Sequence, residues 1–302
     1  MSLLVVGSVA FDTVKTADGS AEEVLGGSAT YAAYAASFFT PTRIVSPVGE
    51  DMPDSYLEEL HEHNIDVTGI RVVPGGKTLK WTGRYSDSFL DRTTEDIQLN
   101  VFADYDTTLP AEYLDSDYVF LANGAPPAQK AVLDQLPDRK AALLDTMNHW
   151  IEGDRDGVIE VLDRVKAVVV NDEEARLLTG EVNLLTAARL LAEMGPDIVV
   201  IKKGEHGAIL FAEGRPRALH AWMTEDVNDP TGAGDCFGGA LMGYIAGRGD
   251  WSLPTIKTGL LYGTVMASFC IEEFSIDGLR RVTMDDIERR REELLGMIGW
   301  HE

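Results

Sequence analysis

The residues best suited to chemistry form one run, Val227-Asn228-Asp229-Pro230-Thr231-Gly232-Ala233-Gly234-Asp235-Cys236-Phe237-Gly238-Gly239-Ala240. Small residues at Gly232, Ala233 and Gly234 would let backbone N–H groups converge without side-chain obstruction. An apolar helix begins there and would aim its positive N-terminal end at the same spot, making an anion hole. Asp235 would then sit in the first helical turn, beside a bound phosphate rather than on it. A carboxylate in that place can accept the proton of an attacking hydroxyl, as phosphoryl transfer to an alcohol requires. Taken alone, the run reads equally well as a tight turn followed by a carboxylate that stabilises the helix dipole.

The elements that must position this loop alternate in kind. Short apolar runs predict strands at Leu3–Val6, Arg43–Ser46, Tyr118–Leu121, Ala141–Leu144, Ala167–Val170 and Ile198–Ile201. Helices are predicted at Ser28–Phe39, Asp54–His63, Asp156–Arg164, Asp172–Leu178, Leu184–Glu193, Ala233–Ala246 and Ile256–Phe269. Strands separated by helices imply right-handed βαβ crossovers and a mostly parallel sheet covered on both faces. The acidic and basic tail Ile287–Leu295 reads as a solvated helix face.

One region breaks the alternation. Ile70–Val73, Leu79–Ser86 and Ile97–Phe102 read as strands with no helix between them, the first two parted by the turn Pro74-Gly75-Gly76. Lys80, Thr82 and Arg84 alternate with Leu79, Trp81, Gly83 and Tyr85, which predicts a sheet with one polar face. A small antiparallel sheet set into a parallel α/β domain suits a lid over a ligand site, and a decorative insertion is the plainer alternative. Lys80 and Arg84 are candidates to touch a ligand from it, or ordinary exposed strand charges.

Composition narrows the partners. The chain has 302 residues, 45% hydrophobic and 25% charged, enough for a real core. Its 50 acidic against 26 basic residues give a net charge of −24, which disfavours nucleic acid and anionic membranes. Such acidity fits a protein adapted to high salt or simply an acidic one. The longest apolar runs are strand-sized, the N-terminus has no basic stretch ahead of its first strand, and two cysteines make neither a disulfide framework nor a zinc set. These features fit a cytoplasmic protein.

The run Asp229–Met242 resembles the C-terminal signature of the ribokinase-like, or PfkB, carbohydrate kinase family. Gly26-Gly27 before an alanine-rich helix is similar to that family's N-terminal sugar-binding segment, and Asn171-Asp172-Glu173-Glu174 to its Asn-x-x-Glu motif. Lys202-Lys203-Gly204-Glu205-His206-Gly207 stands where members often carry Thr-x-Gly-x-x-Gly. The resemblance implies a single three-layer α/β domain over residues 1–302, a mostly parallel central sheet, and a β lid formed by segments about 12–26 and 70–103.

It further implies an ATP-dependent kinase that uses Mg2+ and phosphorylates a hydroxyl of a small polyhydroxylated acceptor. Gly232, Ala233 and Gly234 would form the anion hole and Asp235 the base. Asp12, at the end of the first strand, would grip acceptor hydroxyls, with Gly26 and Gly27 admitting the acceptor close to the backbone. Asn171 and Glu174 would organise Mg2+, Glu174 through water; Gly204 and Gly207 would let the backbone approach the nucleotide; Thr264 and Ala267 would pack against adenine. The protein would be a monomer, or a homodimer joined through the lid.

Two positions depart from the pattern. Tyr31 stands where members commonly place a sugar-binding asparagine, and a phenol cannot copy a carboxamide's donor and acceptor pair. It would stack on a ligand ring or serve packing. Lys202 replaces the usual threonine and would meet a phosphate as a point charge, or lie at a strand end with its head in water. A sugar is the expected acceptor, a nucleoside or inositol the alternative on the same fold, and a non-catalytic nucleotide- or sugar-binding regulator the alternative of another class.

Three further features bear on function. Asn123-Gly124 and Asp145-Thr146-Met147-Asn148 follow strands at the carboxyl ends where ligands of open α/β sheets gather, which puts Asp145 and Asn148 near the phosphates or in a plain turn. Gly76-Lys77-Thr78 mimics the end of a Walker A loop but has Arg71 where the first glycine must be. His61 and His63 lack a third ligand and are expected to be solvated.

Overall fold

The computed structural model describes residues 2–17, 19–86, 89, 92–297 and 299. Positions 18, 87, 88, 90 and 91 of the expected lid segments, and 1, 298 and 300–302 of the expected domain, lie outside the described residues.

The chain opens with β1 (Leu3–Val6), β2 (Ala10–Lys15), β3 (Ser20–Gly26) and α1 (Ser28–Ser37). Next come β4 (Thr42–Gly49), α2 (Asp54–Glu62), β5 (Ile65–Asp66), β6 (Ile70–Val73), β7 (Leu79–Tyr85) and β8 (Arg92–Gln98). The middle of the chain runs β9 (Tyr118–Leu121), α3 (Pro126–Gln135), β10 (Ala141–Asp145), α4 (Asn148–Gly153), α5 (Arg155–Leu162), β11 (Ala167–Asn171), α6 (Asp172–Thr179) and α7 (Leu184–Glu193). Last are β12 (Ile198–Lys202), β13 (Ala208–Ala212), β14 (Arg215–Leu219), α8 (Ala233–Arg248), α9 (Leu253–Cys270), α10 (Asp277–Arg280) and α11 (Met284–Met297).

The central sheet has the order β14-β13-β12-β11-β10-β9-β1-β4-β5, with β6 also pairing with β4. From β12 to β5 the neighbours are parallel, and the hairpin β13-β14 adds an antiparallel edge. Alternate residues of each strand enter opposite cores. Leu3, Val5, Phe120, Leu143, Val169 and Val200 join α1, α8 and α9 on one face. Leu4, Val6, Val119, Leu121, Leu144, Val168 and Val199 join α3, α5, α6 and α7 on the other. Being buried on both faces is why these strands read as unbroken apolar runs. The result is the expected three-layer, mostly parallel α/β fold.

Helix α1 is rich in alanine because it lies directly on α8. A side chain on Gly239 would overlap the Ala32 backbone, so the two helices approach as closely as their main chains allow.

A second, four-stranded sheet has the order β3-β2-β7-β8. Its β2–β3 and β7–β8 pairs are antiparallel and its central β2–β7 pair is parallel. Several expectations need correction here. Ile70–Val73 is not part of this sheet but pairs in parallel with β4 of the central sheet. The outer strand is Arg92–Gln98 rather than Ile97–Phe102, because the chain turns into a 3-10 helix at Asn100–Phe102. Asp12 belongs to β2, not to the end of the first strand. His63 is not simply solvated: its ring stacks on Tyr34 at 3.9 Å and its Nδ1 lies 2.8 Å from Ser37 Oγ.

Candidate active site

The loop before α8 is fixed from several directions. Asn228 and Asp229 donate their N–H groups to Ile271 O at 2.8 and 3.2 Å, and Thr231 N donates to Asp229 Oδ1 at 2.9 Å. Thr231 Oγ1 donates to Tyr85 Oη, 3.1 Å away on β7, so the small sheet touches the loop directly. Gly232 then caps α8 with a φ of 77°, a conformation that glycine adopts without strain. A side chain there would also overlap the Tyr31 ring, which lies against the loop. No side chain caps the helix; Ala233 N donates to Pro230 O at 3.2 Å, and the N–H groups of Gly234 and Asp235 have no hydrogen-bond partner among the described residues, which suits them to an anion.

Asp235 lies in the first turn of α8 and lines the cleft between the small sheet and the central sheet's carboxyl edge. Burial and the nearby Asp145 hold its carboxyl well above the usual range, and Lys202 partly offsets them. A carboxylate displaced upward in this way is a stronger proton acceptor than a free aspartate.

Asp12 faces the same cleft from β2 and is 4% exposed. Gly27 N donates to its Oδ2 at 3.3 Å, and a side chain on Gly26 would overlap its carboxylate. The Gly-Gly pair therefore makes room for Asp12 and turns the chain, with φ 94° at Gly27. Burial pushes Asp12 up to about 7, against the opposing Gly27 hydrogen bond and with help from Asp229.

Tyr31 is 1% exposed; it packs on Gly232, as the packing reading expected, and it also lines the cleft. Among the described residues no group lies at full hydrogen-bond geometry to its buried hydroxyl, although the Asp12 carboxyl interacts with it; burial with the charges of Asp12 and Asp229 raises its pKa. Asp229 Oδ2 is likewise buried without a partner at full hydrogen-bond geometry among the described residues, with the Ser275 N–H supporting the carboxyl group.

A second group gathers at the ends of β10, β11 and β12, where open α/β sheets bind their ligands. Asn171 and Glu174 form a reciprocal cap on α6: Glu174 N donates to Asn171 Oδ1 at 2.8 Å, and Asn171 N donates to Glu174 Oε2 at 2.7 Å. The Asn-x-x-Glu motif is thus first of all a helix start, and it holds the Glu174 carboxylate in place. Burial raises Glu174 to about 7, opposed by Lys202 and assisted by Asp145. Lys202 Nζ lies 3.3 Å from Asp145 Oδ2. This excludes the reading of Lys202 as a strand-end residue with its head in water.

The remaining candidates are more dispersed. Gly204 and Gly207 bound a tight turn after β12, closed by Lys203 N donating to Gly207 O at 2.7 Å. Thr264 donates to Leu260 O of its own helix and Ala267 packs at the edge of the core; neither lines the cleft. Asn148 opens α4, its Oδ1 buried and without a partner among the described residues. Lys80 pairs with Glu23, and Arg84 Nε donates to Glu95 at 2.6 Å, so these two lid cations face away from the cleft.

The cleft walls include residues that the sequence reading did not single out. Trp81 and Ile97 come from the small sheet, Leu99 and Phe102 from the turn beyond it, and Met147, His149 and Trp150 from the β10–α4 junction. Trp150 Nε1 donates to Asn123 Oδ1 at 2.8 Å, which fixes the Asn123 amide at the cleft. Arg92 of β8 completes the rim, with its guanidinium 5.7 Å from the Trp81 ring centre. Alternation in β7 marked Trp81 as belonging to the apolar face; nothing local marks Arg92 or Trp150.

This geometry is joined by three likenesses to known proteins. The model of the pfkB family carbohydrate kinases matches residues 2–275, and the chain belongs to that family. It is therefore a phosphotransferase with a hydroxyl acceptor, and ATP is the donor that the family uses. A cytidine kinase of Thermococcus kodakarensis is 31% identical over 255 residues, covering 82% of this chain and 90% of the relative. Among solved structures, a Burkholderia thailandensis nucleoside kinase in complex with inosine superposes with a TM-score of 0.78 at 20% identity, over 97% of both chains. A ribokinase of Thermotoga maritima gives 0.76 at 18% identity, over 97% of this chain and 99% of the other. These two likenesses concern the fold. No helix among the described residues is long and apolar enough to cross a membrane.

Proposed function

We propose that this protein is an ATP-dependent nucleoside kinase, with Asp235 as general base and Gly232, Ala233 and Gly234 as the anion hole. The observation that carries the acceptor class is the make-up of the cleft. A carboxylate suited to vicinal hydroxyls, Asp12, shares one cavity with Trp81, Phe102, Met147 and Trp150. A free sugar presents hydroxyls on all sides, and burying them against such walls leaves them without partners. A nucleoside matches both halves: its ribose meets Asp12, and its base meets the aromatic and apolar surface. The likeness to a cytidine kinase supports this choice over the sugar that the sequence favoured.

In the reaction, Asp235 takes the proton of the acceptor hydroxyl as its oxygen bonds to the γ-phosphorus. The bond from that phosphorus to the β,γ-bridging oxygen breaks, and its electron pair leaves on ADP. The small sheet acts as a lid over the acceptor and excludes water from the transfer. Gly204 and Gly207 allow the nucleotide to approach the backbone, with Thr264 and Ala267 on its adenine side.

The described residues include no group of three or more metal-ligating side chains. That sparse donor set fits Mg2+, which binds largely through phosphate oxygens and retained waters. Glu174, held by its cap with Asn171, would hold the ion through water, and the ion would supply neutralisation of phosphate charge.

The test is ADP release from MgATP with cytidine, other ribonucleosides, ribose, fructose and myo-inositol. The expected result is turnover of at least one nucleoside with kcat/KM about 10- to 100-fold above free ribose, the worth of stacking one base. A preference for ribose, fructose or inositol would refute the nucleoside assignment. Tight binding of a nucleoside with no turnover of any acceptor would favour a sensor instead.

A further inference from the structure

Lys202 places a positive charge where helix electrostatics disfavours one. Its ammonium lies against the first turn of α8, and a methyl group built on Gly234 would sit 2.8 Å from Nζ. The N-terminal end of a helix attracts anions and repels cations. The side chain is only 19% exposed, and that of its partner Asp145 only 7%. Burial alone would push the lysine toward neutrality, but Asp145, Glu174 and Asp235 outweigh it and keep the ammonium charged.

Carboxyl groups outnumber cations around Lys202, with Arg92 acting on Glu174 and Asp235 as a further positive charge. Asp145 contacts Lys202 at 3.3 Å and the Glu174 and Asp235 carboxyl groups act on it electrostatically, each of the three with a pKa raised primarily by burial. The helix donors beside it are uncapped by any side chain. A permanent structural counter-charge has no need to reach the helix terminus, because Asp145 stands at the end of β10, two strands from β12. An anion arriving at the start of α8 would meet both the N–H groups of Gly234 and Asp235 and the ammonium.

Building on the kinase reading above, we propose that Lys202 is a catalytic residue: it exchanges its contact with Asp145 for one with the phosphoryl group in transit and forms the cationic arm of the anion hole. The lysine keeps its proton throughout; the acceptor's proton goes to Asp235, and the phosphorus–oxygen bond to ADP breaks as the new one forms. Asp145 is the resting partner that holds the ammonium in place before the nucleotide binds. Gly234 is then required for a second reason besides loop conformation, since any side chain there would displace the amine.

The test uses the full chain carrying Lys202→Met, Lys202→Arg, and the double change Lys202→Met with Asp145→Asn. The double variant removes the unpaired Asp145 charge and so guards against simple misfolding. Measured are kcat, KM, and the binding of ADP alone and of ADP with aluminium fluoride and acceptor, a mimic of the transferring phosphoryl group. The expected result is a fall in kcat of about 10²- to 10³-fold in both methionine variants, the usual worth of one anion-hole donor. Affinity for the aluminium fluoride complex should fall in proportion, ADP binding should change less than about 3-fold, and arginine should restore part of kcat.

The proposal is overturned if kcat survives in the folded methionine variants, or if ADP and its aluminium fluoride complex weaken equally. Restoration of full activity by the double variant would also overturn it, since Lys202 would then be only a counter-charge. Absence of turnover by the unaltered protein with every acceptor would overturn the kinase reading and this proposal together; turnover that survives loss of the lysine would overturn only this one.

Discussion

Thr231 Oγ1 donates to Tyr85 Oη across 3.1 Å and 146 positions of sequence, so the small sheet and the anion-hole loop share a hydrogen bond. Tyr85 is 8% exposed and Thr231 9%, which shields the bond from water. A buried hydrogen bond of this kind contributes about 1 kcal/mol. It ties the position of the small sheet to the loop proposed to receive the phosphate.

Tyr85→Phe keeps the ring and removes the bond. The acceptor KM should rise about 3- to 10-fold while KM for ATP stays near its original value, because the loop keeps its ties to Asp229 and Ile271. Steady-state kinetics with each substrate varied in turn checks this split.

Asp12 gives the site a pH dependence with a definite sign. Its carboxyl is raised, primarily by burial, from an ordinary 3.8 to about 7. Between those values the folded protein binds at Asp12 a proton that the unfolded chain has released, so the contribution of Asp12 to stability is fully present below about 4 and is lost as pH rises through 7. Asp12→Asn should therefore raise the melting temperature relative to the unaltered protein more at pH 8 than at pH 5. On the proposed nucleoside reading acceptor binding runs the other way, since Asp12 would hold the ribose hydroxyls as a carboxylate. Acceptor affinity should fall as pH drops below about 7, and this dependence should vanish in Asp12→Asn, whose binding is weak throughout. Thermal melts and acceptor titrations over pH 5–8 check both halves.

The cap at α6 separates two roles of Glu174. Glutamine can still accept from Asn171 N–H, so Glu174→Gln should melt close to the unaltered protein while the Mg2+ concentration needed for half-maximal activity rises about 10-fold. Asn171→Ala breaks the cap itself and should cost about 1 kcal/mol of stability. Melting curves paired with Mg2+ titrations of activity distinguish the two.

Much of this architecture is legible in the chain because its signals are local. Strands such as Tyr118–Leu121 are buried on both faces and announce themselves as apolar runs bounded by turns. The loop from Thr231 to Asp235 is legible because only small residues can leave helix donors uncovered, and Asn171 with Glu174 because a capping box has a fixed spacing. Pairing between distant segments is another matter. Ile70–Val73 has the composition of a lid strand, and only the long-range choice of β4 as partner puts it in the central sheet. Asp12 could not be assigned to β2 from a stretch whose neighbours in the sheet, β3 and β7, lie on either side of α1. Helix α3 has no counterpart among the expected helices; it opens with Pro126-Pro127 in its first turn, where a missing N–H costs nothing. The cleft's aromatic wall is invisible for the same reason as the lid pairing: Trp81, Phe102 and Trp150 meet only in three dimensions.

The most direct measurement is a single-turnover assay of Asp235→Asn with MgATP and the best nucleoside acceptor, alongside equilibrium binding of ATP. The asparagine keeps shape and hydrogen bonding but cannot take the acceptor's proton. The expected result is a transfer rate lower by about 10²- to 10⁴-fold with ATP affinity essentially unchanged. Transfer at a near-normal rate in that variant would contradict the assignment of Asp235 as the base and the mechanism built on it.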